Sequence, residues 1–316
     1  MTMLHHADKV LENAHSTRAA ATSRLAASWR RSAVTYGLDP RNTHAPERLE
    51  MQDVAQRRDA MGVFLSLANP QLDQLFRMVG NTGCCVLLTD AEGVVLEQRC
   101  SDADRAVFQS WGLWSGAVWS EQAEGTNGIG TCLAEKRQIV IHRDEHFHSR
   151  NTSMSCMDAP IYGANGEVMA ALDVSSCRAD QTEGYTRLIA SAVAQTARQM
   201  ETEHFRAAFA GARFVDVGTD RPEEALLLAV DGDDLVIGAT RAARRKLGLD
   251  AQSFASPMPA ADVLGMAQGR RGLEHAERAA LRRALARAGG NASAAARALG
   301  IGRATLYRRM KRLDLD

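Results

Sequence analysis

Seven side chains packed into ten residues carry the clearest chemistry in this sequence: Arg303, Thr305, Tyr307, Arg308, Arg309, Lys311 and Arg312. Guanidinium forks match the acceptor edge of guanine in the major groove, and Arg, Lys, Thr and Tyr also serve phosphate oxygens. Arg278, Arg282, Arg283, Arg287 and Arg297 extend the basic stretch, opposed up to Arg312 only by Glu274 and Glu277. The whole chain of 316 residues balances 38 basic against 38 acidic residues, so the positive charge is local and a polyanion is its expected partner. Arg303, at the start of its helix, suits a base contact. Thr305, Arg309 and Arg312 suit phosphates, while Tyr307, Arg308 and Lys311 face outward with Arg303.

A second constellation is His142, His146, His148 and Cys156. Imidazole and thiolate are ligands for zinc or iron, and a metal- or redox-responsive switch is the alternative they raise. Their spacing fits no standard site, so no metal and no cofactor is assigned. The six cysteines lack C-x-x-C spacing and read as reduced thiols; Cys84 and Cys85, adjacent on a strand, point to opposite faces and read as core. A thiol reductase using Cys84, Cys132 and Cys156 is the remote enzymatic alternative, without an identifiable partner base. The expectation is that the chain is not an enzyme.

Gly125-Thr-Asn-Gly-Ile-Gly130 misorders the glycines of a dinucleotide fingerprint and follows no apolar strand, so it reads as a tight loop opening a helix. With Trp119 before it, Phe147 in a later loop and Cys156 on an opposing strand, it predicts an effector pocket lined by Trp119, Thr126, Asn127, Phe147 and Cys156. The competing reading makes Trp119 and Cys156 ordinary core residues.

These residues need elements to hold them. A helix is predicted over 18–31, stopping near Tyr36-Gly-Leu-Asp-Pro40, and a second helical stretch over 47–79, broken near Asn69-Pro70. From Gly83 the period changes to that of strands: 84–89 and 94–97 as a hairpin, then 138–142, 155–162 and 167–174, with a helix over 126–136 between them. An amphipathic helix follows over 182–210, presenting Leu188, Ile189, Ala192, Val193, Thr196 and Met200. A smaller hairpin at 225–237 and a helix over 239–247 come next, then a Pro- and Gly-bearing linker. Helices over 274–288, 292–299 and 303–313, separated by Gly289-Gly290 and Gly300-Ile-Gly302, complete a helix-turn-helix in which Leu306, Met310 and Leu313 pack inward.

The stretch from Gly290 to Lys311 resembles the Fis-type helix-turn-helix that ends bacterial enhancer-binding regulators. Gly302 departs from that pattern, which commonly has Asn or a similar cap there. The stretches 119–134, 146–148, 156–162 and 166–174, with Ser28-Trp-Arg-Arg-Ser32 and Tyr36-Gly-Leu-Asp-Pro40, resemble the GAF region of acetoin-type activators, and 225–249 resembles that family's degenerate PAS unit. The resemblance implies an α+β chain: N-terminal helices (1–80), a GAF domain with an antiparallel sheet and flanking helices (81–210), a small PAS-like unit (211–252), a linker (253–273) and an all-α DNA-binding domain (274–316). It also implies a homodimer reading an inverted-repeat operator under control of a small-molecule effector, with RNA polymerase or a full-length regulator as further partners. Such regulators usually carry a central ATPase. This sequence has no G-x-x-x-x-G-K-S/T loop and no GAFTGA-type loop, its lysines being Lys9, Lys136, Lys246 and Lys311. No apolar run approaches the roughly 20 residues of a spanning helix, and His5, His6, Asp8 and Lys9 interrupt the opening segment. A cytoplasmic regulator without membrane contact or signal peptide is expected.

Overall fold

The structure, a computed structural model, describes residues 3–178, 182–218, 225–265 and 272–315, which form two compact units, Met1–Pro257 and Met258–Asp316. The first opens with helices α1 (Met3–His15), α2 (Thr17–Thr22) and α3 (Arg24–Arg30), then a π-helical turn, Arg31–Thr35. The single helix expected over 18–31 is divided at Ser23. Its hydroxyl accepts the Ala26 N–H at 3.3 Å, so a new N-cap replaces the continuing ladder. Next come α4 (Met51–Ala60) and α5 (Gly62–Val79). The break therefore lies at Met61-Gly62, and Pro70, expected to interrupt, sits inside α5. An interior proline costs about 3 kcal/mol. The buried stripe Phe64, Leu65, Ala68, Leu72, Leu75 and Val79 offsets it by covering one face of the sheet.

That sheet has five antiparallel strands, β1 (Cys84–Thr89), β2 (Val95–Arg99), β3 (Ile139–His142), β4 (Ser155–Tyr162) and β5 (Val168–Ser176), in the order β2-β1-β5-β4-β3. Helices α6 (Arg105–Ser110), α7 (Glu121–Glu124) and α8 (Gly128–Glu135) come from the connection between β2 and β3, and α9 (Glu183–Ala208) follows β5. Cys84, Val86 and Leu88 meet α5 and α9 on one face, while Cys85 and Leu87 join Phe108, Trp119, Ile129 and Cys132 on the other. The period of two thus separates Cys84 from Cys85, as the sequence requires. On α9 the packing face is Ile189, Val193, Ala197 and Met200, and Leu188, expected on it, is 65% exposed.

The end of α9 enters a smaller three-stranded sheet, β6 (Arg213–Asp216), β7 (Leu227–Val230) and β8 (Val236–Ala239), which is followed by α10 (Arg241–Leu247). Phe205 and Phe209 pack there with Phe214, Leu227 and Ala229. Strand β6 carries no distinct pattern in the sequence, and the structure adds it. In the second unit α11 (Ala260–Val263) precedes α12 (Gly272–Arg287), α13 (Ala292–Ala298) and α14 (Arg303–Arg312). Leu281, Ala284, Ala295, Ala296, Leu306 and Leu313 form its core. Gly289 and Gly290 adopt φ of +57° and +83°, and Asn291 accepts the Ala294 N–H at 3.1 Å, so one helix is stopped and the next capped within three residues. Part of the expected linker, residues 266–271, lies outside the described residues.

Helix α8 approaches β4 so closely that a β-carbon on Gly128 would collide with Asp158 and Cys156. Gly128→Ala is expected to lower unfolding stability by about 1 to 3 kcal/mol through overpacking, read as a lower urea midpoint at constant m-value. An unchanged midpoint would show that the helix can stand off from the sheet.

Candidate functional site

Two places concentrate the chemistry, one in each unit. In the first, the loop from Trp119 to Asn127 crosses the sheet face opposite α9. The glycines of Gly125-Thr-Asn-Gly-Ile-Gly130 allow close packing: a β-carbon would strike the Phe147 ring at Gly125 and the backbone of Glu121 at Gly130. Asn127 caps α8, its Oδ1 accepting the Gly130 N–H at 2.8 Å and its Nδ2 donating to the Gly125 carbonyl at 2.9 Å. Thr126 Oγ1 lies 2.7 Å from Ser28 Oγ and 3.3 Å from Ser32 Oγ. Trp119 is core, its indole N–H donating to the Gly112 carbonyl at 3.0 Å. Phe147 joins Val10, Ala14 and Trp29 beneath the N-terminal helices.

Trp119, Thr126, Asn127, Phe147 and Cys156 therefore do not line one open pocket. Of these five, only Thr126 borders the small cavity of about 100 Å³ found here, together with Leu25, Ser28, Thr131 and Ile139. Binding pockets for small molecules run to roughly 300–1,000 Å³. The interior on this face of the sheet is closed, and the N-terminal segment covers it. That cover is held by charge: Glu121, 3% exposed, receives Arg31 Nε and Nη2 at 2.9 Å each, Thr131 Oγ1 at 3.2 Å, and Ser28 Oγ. Arg31 also reaches Glu135 at 3.0 Å, which ties the Ser28–Ser32 motif to both α7 and α8.

Beneath the loop runs a buried polar chain. His146 Nδ1 lies 2.9 Å from the Arg143 carbonyl and so must be the donor there. Burial holds its titration down near 4, leaving a neutral ring whose Nε2, 3.5 Å from Cys156 Sγ, accepts from the thiol. Cys156 Sγ is 3.2 Å from Ser175 Oγ, and Ser175 donates to Asp173 Oδ2 at 2.8 Å. Asp173 stands opposite Asp158 in the β4–β5 register, and both are fully buried. Burial pushes Asp158 well up, with Asp173 adding to it, and raises Asp173 to about 7. Two facing buried carboxyls disfavour ionisation of both, so the pair is held toward its protonated form. Asp158 and Asp173 do leave a signal in the sequence, one acid inside each of two apolar strands. Glu121, Arg31 and Ser28 leave none as a set, because their contact spans about 90 positions.

The metal constellation is not assembled. His146 approaches Cys156, but His142 Nδ1 pairs with Ser155 Oγ at 2.8 Å, and the ring of His148 packs on Phe147. Among the described residues no group of three or more His, Cys, Asp or Glu is placed to hold a metal ion. Burial pushes the Cys132 and Cys156 thiols well above their ordinary range and raises Cys84, which disfavours the thiolate a reductase nucleophile requires.

In the second unit, α14 buries Leu306 and exposes Arg303, Tyr307, Arg308 and Lys311, while Thr305 is half-buried near its start. The Arg303 guanidinium lies over the Tyr307 ring, 5.6 Å from its centroid. Gly302 precedes the helix without a side-chain cap. Arg309 and Arg312 are placed differently from Arg303. Both pair with Glu277 of α12, Arg309 at 3.2 Å, so the two cations expected to serve phosphates are turned toward an internal carboxylate.

Residues 65–203 match the GAF domain family, and residues 272–313 match the Fis family of bacterial regulatory proteins. The chain is 30% identical over 247 residues to the acetoin catabolism regulatory protein of Cupriavidus necator, covering 75% of this chain and 36% of that protein. It is 30% identical over 178 residues to the acetoin dehydrogenase operon transcriptional activator AcoR of Bacillus subtilis, covering 56% and 29% respectively. The chain thus spans about a third of the length of these relatives. A crystal structure of the E. coli DhaR(N)–DhaL complex shares the fold over 72% of this chain and 78% of that one, with a TM-score of 0.51 at 14% identity. No described helix is long and apolar enough to cross a membrane.

Opposite pH limbs follow from the buried groups. Asp173 titrates near 7 in the folded chain against an ordinary 3.8, so the stability it contributes is complete below the ordinary value and is lost as pH rises through about 7. His146 and His148 titrate near 4 against 6.5, so their contribution is present above 6.5 and lost as pH falls toward 4. Urea midpoints measured from pH 5 to pH 9 are expected to fall as pH rises through about 7 for the native chain, and Asp173→Asn, which removes that titration, is expected to flatten this alkaline limb. An equally steep alkaline limb in the variant would remove the carboxyl pair as its source. With a GAF domain over residues 65–203 and a Fis-family helix-turn-helix over residues 272–313, the chain is similar to regulators of acetoin catabolism.

Proposed function

We propose that this protein is a cytoplasmic, homodimeric transcriptional regulator that senses a small-molecule effector in its GAF domain and acts through its Fis-type unit on an inverted-repeat operator. The observation that carries this reading is α14, a helix that buries Leu306 and exposes Arg303, Tyr307, Arg308 and Lys311, in a chain that also holds a closed, polar-lined GAF interior. Arg303, at the first turn of α14, reads a base edge in the major groove. Tyr307, Arg308 and Lys311 extend the same surface, and Thr305 approaches the backbone. Arg309 and Arg312 serve phosphates when they leave Glu277.

The relatives' names refer to acetoin catabolism, which supports a small polar metabolite as signal. Its entry requires the Ser28–Arg31–Glu121 closure to open, because the sensor cavity of about 100 Å³ holds only a few non-hydrogen atoms. Effector binding then favours the conformation in which that cover has moved. The sequence lacks a phosphate-binding loop, so regulation acts through recruiting or blocking RNA polymerase, or through pairing with a full-length relative, and no catalytic role is assigned. A metal-responsive reading gains nothing from His142 and His148, which contact Ser155 and Phe147.

Anisotropy titrations against operator and scrambled duplexes test the DNA assignment. Arg303→Ala is expected to cost about 1 to 3 kcal/mol on the operator and little on scrambled DNA. Glu277→Gln is expected to free Arg309 and Arg312, tightening binding to both duplexes and steepening the salt dependence by up to about two phosphate contacts. Equal losses on both duplexes for the Arg303 variant would overturn its base-reading role, and an unchanged salt slope for the Glu277 variant would deny Arg309 and Arg312 a place on the backbone.

A further inference from the structure

A larger cleft lies apart from the GAF interior, on the sheet face covered by α9. It is bounded by α9, the end of β4, the Lys136–Gln138 connection and the start of α10, and encloses about 450 Å³. That is within the range of roughly 300–1,000 Å³ for small-molecule sites. Ala159, which lines it, belongs to the core shared with α9, whereas Cys156 belongs to the opposite face.

Its lining is cationic. Lys136, Arg137, Arg198, Arg241 and Arg245 border it, against Glu201 as the carboxylate of the set. Arg137 pairs with Glu135 at 2.6 Å, and Lys136, more loosely, with Glu167 at 3.9 Å. Glu201 Oε1 accepts the backbone N–H of Tyr162 at 2.9 Å. Arg198, on α9, keeps a buried Nε with no hydrogen-bond partner, and a guanidinium N–H withdrawn from water in that way is costly. Arg241, at the start of α10, places its guanidinium over Tyr162, 3.9 Å from the ring centroid, in a cation–π contact. The rest of the wall mixes apolar residues, Ala194 and Ala197 along α9 and Phe205, with the polar Gln138, Thr202 and Thr240.

We propose that this cleft is a second ligand site, for a small organic acid. Its carboxylate pairs with Arg198 and Arg241, and its apolar body lies against Phe205 and the alanine face of α9. A planar fork suits a carboxylate in two-point contact, and the alanines leave room for a hydrocarbon or ring that free phosphate lacks. Arg198 belongs to the helix that covers the large sheet and Arg241 to the helix that follows the small one, so a bound acid bridges the two sheets. This inference does not rest on effector binding in the GAF interior.

Isothermal titration of the full chain with acetate, hexanoate, benzoate and 2-naphthoate tests it, with benzamide as the uncharged isostere and inorganic phosphate as the alternative anion. Saturable binding is expected for the acids with a larger apolar body, with benzamide weaker than benzoate by about tenfold or more, the loss of one charge-assisted contact. Arg198→Gln and Arg241→Gln are each expected to weaken benzoate by a similar factor, with melting curves confirming that the variants fold. Arg187→Gln, on an exposed turn of α9, is expected to leave it unchanged. Failure of the whole acid series, benzamide binding as well as benzoate, phosphate binding in place of the acids, or benzoate affinity unaltered in both cleft variants would each overturn the proposal.

Discussion

Glu121 is a carboxylate with almost no exposure to water, and the groups that neutralise it come from far away in the chain. Arg31 supplies two N–H donors and Ser28 a hydroxyl, both from the N-terminal segment, while Thr131 reaches up from α8. Removing one partner from such a buried pair typically costs about 3 to 5 kcal/mol, because the remaining charge is stranded. The requirement to satisfy Glu121 therefore fixes where the N-terminal helices lie. They must sit over the loops that carry Thr126 and Asn127, and the π-helical turn beginning at Arg31 delivers the guanidinium there. A second acid, Glu124, repeats the arrangement with Arg150, which also bonds the His44 carbonyl.

The closure gives the sensor its character. Beneath it, close glycine contacts bring α8 onto β4, and a line of polar groups from His146 through Cys156 and Ser175 to the Asp158–Asp173 pair is sealed from solvent. Such a network rigidifies the core when all its members are satisfied and is costly when they are not. The opposite face is ordinary by comparison, with aliphatic residues of α5 and α9 on aliphatic residues of the strands. Helix α9, 26 residues and so about 39 Å long, runs from that face into the small sheet through Phe205 and Phe209. The buried polar chain and the helix that continues into the small sheet are thus kept on different faces of one sheet.

In the second unit the same economy of charge appears at the surface. Glu277 engages Arg309 and Arg312, which leaves Arg303, Tyr307, Arg308 and Lys311 as the open face of α14. Exposed ion pairs of this kind contribute little to stability, on the order of 1 kcal/mol or less, so their consequence lies in which cations are presented.

Local physics made much of this protein legible in its residues alone. Alternation separates Cys84 from Cys85, the Gly289-Gly290-Asn291 run stops one helix and caps the next, and the spacing of Leu306, Met310 and Leu313 sets the inner face of α14. These depend on φ preferences, caps and periodicity within a few residues. What depended on distant neighbours was not legible. Pro70 reads as a break but is carried through by the burial of the α5 stripe, and Leu188 reads as core but lies outside it. Strand β6 exists only because β7 offers it hydrogen bonds. The five proposed pocket residues share a segment of sequence yet serve as cap, core and contact in different directions, because a side chain's role is decided by what packs against it. The Asp158–Asp173 pair, the Glu121 closure and the restraint of Arg309 and Arg312 by Glu277 are decided by tertiary structure alone, since each is a meeting of ionisable groups that only the folded chain brings into contact.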